Sequence, residues 1–121
     1  MRPPSTPSPD PGPLSALEFH VLLVLAVKDL YGYGIKKAVE GQSEGLVSPE
    51  IGSLYRVLAR LIDRNWIQEA SASPSSEETH PGRPRRYYSL TAEGLVVVGR
   101  EMRRLRQAVN LAENILPGTT P

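Results

Sequence analysis

Seven apolar residues near the C-terminus, Leu95, Val98, Met102, Leu105, Val109, Ala112 and Leu116, are spaced 3, 4, 3, 4, 3 and 4. This unbroken heptad seam predicts one long helix over about residues 92–116, capped by Thr91, with arginines and polar residues filling much of the rest. The competing reading is a strand. Residues 95–99 have strand composition, and Gly94 and Gly99 each cost a helix roughly 1 kcal/mol; the length and regularity of the seam outweigh this. A helix of about 25 residues is roughly 37 Å long, longer than a domain this small can cover. The N-terminal part of the seam can pack on its own domain. The part from about Leu105 onward leaves Leu105, Val109, Ala112 and Leu116 without cover. Burying a large apolar side chain is worth about 1.5–3 kcal/mol. A second copy of the chain is therefore the expected cover, and these four residues the expected dimer interface.

The rest of the chain must fit beside that helix. A length of 121 residues suits one domain with a modest core, and 40% hydrophobic with 22% charged residues is an ordinary globular composition. The absence of cysteine excludes disulfides and thiolate metal sites and permits a reducing compartment. Residues 21–27 form the only sustained apolar run, far short of the ~20 residues of a membrane span. Its Pro-rich flank with Asp10 and Glu18, and the Lys28-Asp29 that follows, do not suit a signal peptide. The expectation is a soluble cytoplasmic protein with no membrane partner. His20 and His80 lack a paired acid at metal spacing, so no zinc site is expected. No phosphate loop, carboxylate pair or nucleophile motif is present, which points away from an enzyme and from a cofactor.

Residues 1–13 hold six prolines and read as a disordered or polyproline tail. Ser15 and Glu18 have the spacing of a capping box. They open a helix to about Lys28 that is apolar almost all round and therefore central. Residues 29–34, "DLYGYG", break it, with Tyr31 and Tyr33 packing at the core edge. A short helix follows over about 34–41, carrying Ile35, Ala38 and Val39 on one face, and then a loop. Ser48-Pro49 predicts the start of a third helix, a capping serine with proline at the first helical position, running to about Arg64. Its apolar stripe is Ile51, Leu54, Leu58, Leu61 and Ile62; opposite lie Gly52, Ser53, Arg56, Ala59, Arg60 and Asp63. A strand begins at Trp66-Ile67, with Trp66 in the core, and fades near Ser73. Residues 74–84 have loop composition, and residues 85–90 form a second strand. Alternation puts Arg86, Tyr88 and Leu90 on one face, with Tyr88 packed inward beside Leu90.

Three helices, a hairpin and a long helix make a mostly helical α+β chain with the order of a winged helix-turn-helix. In that architecture the second helix of the pair enters the DNA major groove. Net charge is only +1, so the distribution of charge matters more than its sum. Residues 82–106 hold seven basic and two acidic residues, a local excess of five. Ser53, Arg56 and Arg60 lie on the exposed face of the third helix. Arg83, Arg85 and Arg86 flank the wing, where they can reach phosphate.

At residues 22–40 ("LLVLAVKDLYGYGIKKAVE"), 48–67 ("SPEIGSLYRVLARLIDRNWI") and 82–94 ("GRPRRYYSLTAEG") the chain resembles the PadR-type transcriptional regulators. The resemblance covers about residues 15–100. It implies a winged-helix DNA-binding domain, a two-stranded wing and a C-terminal helix that makes a homodimer, usually with repression relieved by a small molecule. The segment "GSLYRVL" matches the family's recognition helix and carries over Ser53, Tyr55 and Arg56; "GRPRRYY" carries over Arg85 and Arg86. Glu77-Glu78 make this wing loop acidic, which departs from a DNA-contacting tip. The implied organisation is a tail over 1–13, a DNA-binding domain over 14–91, a dimerisation helix over 92–116 and a short tail over 117–121. An apolar crevice between the long helix and the first helix suits an aromatic or drug-like effector. The alternative from another class is a winged-helix protein-interaction module without specific DNA binding.

Overall fold

The computed structural model describes residues 12–70, 86–116 and 118. The two expected tails fall almost wholly outside these residues, as do the loop over 74–84 with Glu77, Glu78 and His80, and two of the wing arginines, Arg83 and Arg85.

The first helix, α1 (Ala16–Val27), is opened by the predicted capping box. The Ser15 hydroxyl accepts from the Glu18 amide at 3.1 Å, and Glu18 Oε1 accepts from the Ser15 amide at 2.9 Å. Val21, Leu22, Val24 and Leu25 are buried, with Leu17, Phe19 and Leu23 packed against the same core. The apolar run is therefore central, as its all-round hydrophobicity requires.

After α1 the chain becomes extended and makes a short strand that alternation cannot reveal, β1 (Leu30–Tyr31). It leads directly into α2 (Gly32–Gln42), which begins two residues before the predicted start. The helix α3 (Ile51–Asp63) also differs from expectation at its start. Ser48 does not cap it: Glu50 holds the N-cap position without a side-chain bond, and the Ser48 hydroxyl donates instead to Glu40 Oε2 at 2.6 Å. The buried face of α3 is Leu54, Val57, Leu58 and Leu61, so Val57 replaces Ile51, which is exposed.

The wing hairpin is β2 (Ile67–Ala70) and β3 (Tyr87–Leu90), antiparallel from Ile67↔Leu90 to Ala70↔Tyr87. β1 pairs on the other edge of β3, with Leu30 opposite Tyr88 and Tyr31 opposite Tyr87, giving the sheet order β1-β3-β2. β3 is thus the central strand, and this corrects the inward-outward assignment of its tyrosines. Tyr88 packs into the core as expected, but Tyr87 is buried too. Its ring meets Tyr31 of β1 at 5.8 Å between centroids, a covering that a two-stranded wing lacks.

The last helix, α4 (Ala92–Ile115), has the predicted Thr91 cap, whose hydroxyl accepts from the Gly94 amide at 3.0 Å. The domain covers Gly94, Val97, Val98 and Glu101, a face rotated from the heptad seam. Of the seam only Val98 is buried; Leu95 and Met102 are exposed, contrary to the expectation that the first part packs at home. From Met102 to Leu116 every residue except the half-buried Arg104 is exposed.

Gly94 is where α4 touches the end of α3. A β-carbon there would press on the Trp66 carbonyl oxygen and lie 2.7 Å from Leu90 Cδ1. Gly94→Ala should therefore lower stability by about 1–3 kcal/mol from overpacking, although alanine is worth roughly 1 kcal/mol more than glycine in an open helix. Urea unfolding checks this, and a gain in stability contradicts the close approach.

Candidate nucleic-acid interface

Helices α2 and α3 form a helix-turn-helix whose turn is held by side chains on both sides. Ser43 is buried; its hydroxyl accepts from the Val47 amide at 2.9 Å and reaches the Val47 carbonyl at 3.2 Å. The chain reverses through Glu44 and Gly45, both at positive φ (54° and 81°), a region that suits glycine. Glu40 accepts from Lys36 Nζ, four residues earlier in α2, at 2.5 Å and, across the turn, from the Ser48 hydroxyl. These two hydrogen bonds hold the Glu40 carboxyl below its usual range, the Lys36 bond contributing most. The Lys36–Glu40 spacing was open to sequence reading as an i, i+4 pair. The Ser48 bond was not, because it depends on the path of the turn.

The turn aims the outer face of α3 at solvent. Gly52, Arg56, Ala59, Arg60 and Asp63 are exposed and Ser53 is half-buried. Arg56 Nη2 donates to Ser53 Oγ at 3.1 Å, so two of the predicted contact residues stand together as one polar unit. Tyr55 lies beside them, half exposed, its ring against the backbone of Gly32 at the start of α2; a β-carbon there would be 2.8 Å from Tyr55 Cζ.

Arg60 points elsewhere. Its Nε lies 3.5 Å from Glu18 Oε2, and Arg64 Nη1 lies 3.9 Å from the same oxygen. The carboxylate that Arg60 meets is the capping-box residue of α1, which serves two helices at once. At the wing root, Arg86 Nε is 3.0 Å from Glu69 Oε1, both side chains being more than half exposed. Tyr88 beneath them has its phenol raised above the ordinary value by burial, then by neighbouring Tyr55, with Arg86 opposing. Trp66 is buried as expected, and the Arg64 guanidinium sits 5.0 Å from its ring centroid.

His20 Nδ1 is 2.7 Å from Gln42 Nε2, a bond between α1 and α2. Among the described residues no cluster of three or more His, Cys, Asp or Glu could hold a metal ion. Among them, too, no helix is long and apolar enough to cross a membrane.

The family model described as "Transcriptional regulator PadR-like family" matches residues 21–100. No curated protein matches the sequence. Solved structures share the fold. A PadR family transcription regulator from Clostridium difficile is 24% identical with a TM-score of 0.68, over 84% of this chain and 99% of that one. A PadR-like transcriptional regulator from Bacillus cereus is 23% identical with a TM-score of 0.68, over 85% and 93%. Bacillus subtilis PadR, solved in complex with operator DNA, is 19% identical with a TM-score of 0.61, over 73% of this chain and 47% of that one.

The lowered Glu40 carboxyl carries a pH signature. Its contribution to stability is present above the ordinary carboxylate value of 4.5 and is lost as pH falls through the lower folded value. Glu40→Gln should therefore destabilise the protein at pH 7 and lose its effect towards pH 3, measured as thermal midpoints across that range. A penalty that persists unchanged at the acid end would show that the ionised carboxylate is not what locks the turn.

Proposed function

The chain belongs to the PadR-like family of transcriptional regulators, and from that premise we propose that it binds duplex DNA as a homodimer at a pseudo-palindromic operator. Family membership makes it a regulator of transcription rather than an enzyme. The observation that carries the finer reading is the outward unit of Ser53 and Arg56 on α3, held by a locked turn. Such a helix can enter a major groove, where an arginine can donate two bonds to guanine. Tyr55 stands at the edge of the same face, in reach of backbone phosphate. Arg83, Arg85 and Arg86 are assigned to phosphate contact at the wing. Arg60 can join them only by leaving Glu18. Residues 14–91 form the reading domain in this proposal, working in the cytoplasm.

The dimer rests on α4. Fourteen residues, Met102 to Ile115, continue beyond the last buried position, Glu101, which is about 21 Å of helix. An isolated helix of that length is marginal in water. It also exposes Met102, Leu105, Val109 and Leu116 along one seam, beside Ala112. A second copy supplies both the cover and the second recognition helix. The crevice between paired α4 helices and α1 is an apolar place for an aromatic or drug-like effector that relieves repression.

The near-neutral charge, and the carboxylates beside Arg60, Arg64 and Arg86, favour one other reading, a protein-interaction module. Salt separates the two. Phosphate binding weakens steeply as salt rises, whereas an apolar interface need not.

Two outcomes follow for duplexes drawn from the protein's own promoter region. Arg56→Ala should cost about 1–3 kcal/mol and relax base preference if it reads a base edge. Replacing Arg85 and Arg86 together by alanine should weaken all sequences alike and lower the salt slope by about one for each phosphate no longer neutralised. Fluorescence anisotropy titrations at several salt concentrations measure both, and unchanged binding in every variant would mean the DNA face lies elsewhere.

Leu105→Asp places a charge in the seam, which is costly without a partner. Sedimentation should give dimer for the native chain and monomer for the variant, with operator affinity falling in parallel. A native monomer at tens of micromolar that still binds its operator tightly would end the dimer reading.

A further inference from the structure

The C-terminal end of α3 and the N-terminal end of α4 are joined by one continuous set of bonds. α3 stops in a Schellman turn: Asn65 takes positive φ (62°), its amide donates to the Ile62 carbonyl at 2.9 Å, and the Trp66 amide donates to the Leu61 carbonyl at 3.0 Å. The residues that end this helix also begin the other. The Asn65 carbonyl accepts from the Thr91 hydroxyl at 2.7 Å, while that hydroxyl accepts from the Gly94 amide. The Thr91 amide donates to the Trp66 carbonyl at 3.0 Å. Asn65 Nδ2 donates to Glu93 Oε1 at 3.0 Å. Behind these bonds Gly94 lies so close that a β-carbon would be 3.0 Å from the Trp66 carbonyl carbon, and Trp66 itself is buried.

We infer that Thr91 and Asn65 are spacing-determining residues for operator recognition: they fix the angle between the reading helix and the dimerisation helix. This rests on the dimeric reading of α4 given above. A stop and a cap each need only local partners to satisfy their own helix ends. Here the Thr91 hydroxyl bonds in both directions, to its own helix and to the end of α3, and Asn65 uses both backbone and side chain toward α4. Neither residue lies on the exposed face of α3 that carries Ser53 and Arg56. In a two-fold dimer α4 is common to both halves, so the α3–α4 angle sets the distance between the two reading helices, and hence which half-site spacing fits.

The test uses the full chain and the absence of native cysteine. A nitroxide spin label on Ala59→Cys, on the exposed face of α3, reports the distance between the two reading helices of a dimer by pulsed electron resonance. The parent should give one narrow distribution. Thr91→Val removes the two-way hydroxyl and should broaden or shift it, and Thr91→Ser should restore it. Asn65→Gly keeps the left-handed backbone but drops the Glu93 bond, and should also broaden it. If Thr91→Val does not fold, Asn65→Gly decides alone.

The DNA arm uses the palindromic duplex recovered by selection from a random pool, with base pairs added between its half-sites. Two added pairs should weaken the parent about tenfold and the variants less than about threefold, with affinity for a single half-site unchanged. Variants whose distance distribution and spacing preference both match the parent's overturn the inference. A parent that shows no intermolecular distance at all instead overturns the dimer on which it rests.

Discussion

The fold is arranged around a helix that is apolar on most of its sides. α1 places Val21, Leu22, Val24 and Leu25 in the core, and α2, β3 and α4 all pack against it. A surface helix needs one neighbour; an all-round apolar helix needs several. The helix-turn-helix, the sheet and the root of the long helix are each held in place by covering part of it. Glu18 is the one acid buried on this helix. It faces the end of α3 and so ties the orientation of the outer elements to the central one.

Much of this was legible in the sequence because the signals were local. The capping box needs only Ser15 and Glu18, the α4 cap only Thr91, and the helical stripes only their spacing. The candidate reading unit of Ser53 and Arg56 was legible for the same reason, being three residues apart on one helix. What failed to show was set by distant partners. β1 is two residues long, too short for a period, and exists because β3 has an open edge. Tyr87 is buried by Tyr31, 56 positions earlier in the chain. Ser48 looked like a cap because serine before proline commonly is one; α3 instead starts at Ile51, so Ser48 stands two residues before the N-cap, where its hydroxyl donates to Glu40 across the turn. The rotation of the covered face of α4 away from its heptad seam was hidden because Val98 belongs to both.

The pairing of charges explains how a chain of net charge +1 can be read as a DNA-binding protein. Arg60 and Arg64 face Glu18, Arg86 faces Glu69 and Lys36 faces Glu40. Of these, the Arg86–Glu69 pair is more than half exposed on both sides; such a pair contributes little to stability, so Arg86 can exchange Glu69 for another anion at small cost. Arg56 leans instead on the neutral Ser53 hydroxyl. Among the described residues, its charge is the one at the centre of the α3 face that a carboxylate does not already offset.

The contact between Leu14 and Glu101 bears on how the protein is made. The Leu14 amide donates to the Glu101 carboxylate at 3.2 Å across 87 positions of chain, and β1 waits 58 positions for its partner, Leu30 for Tyr88. A growing chain emerges from the ribosome N-terminus first, so α1, α2 and α3 are all synthesised before the strand and helix that cover them exist. The central helix acquires its full surroundings only when α4 has been made. Completion of the framework around the candidate reading face and completion of the segment that would pair two copies are therefore nearly the same event in time. An unfinished chain, with α3 but no α4, would carry the candidate reading helix without the framework that orients it.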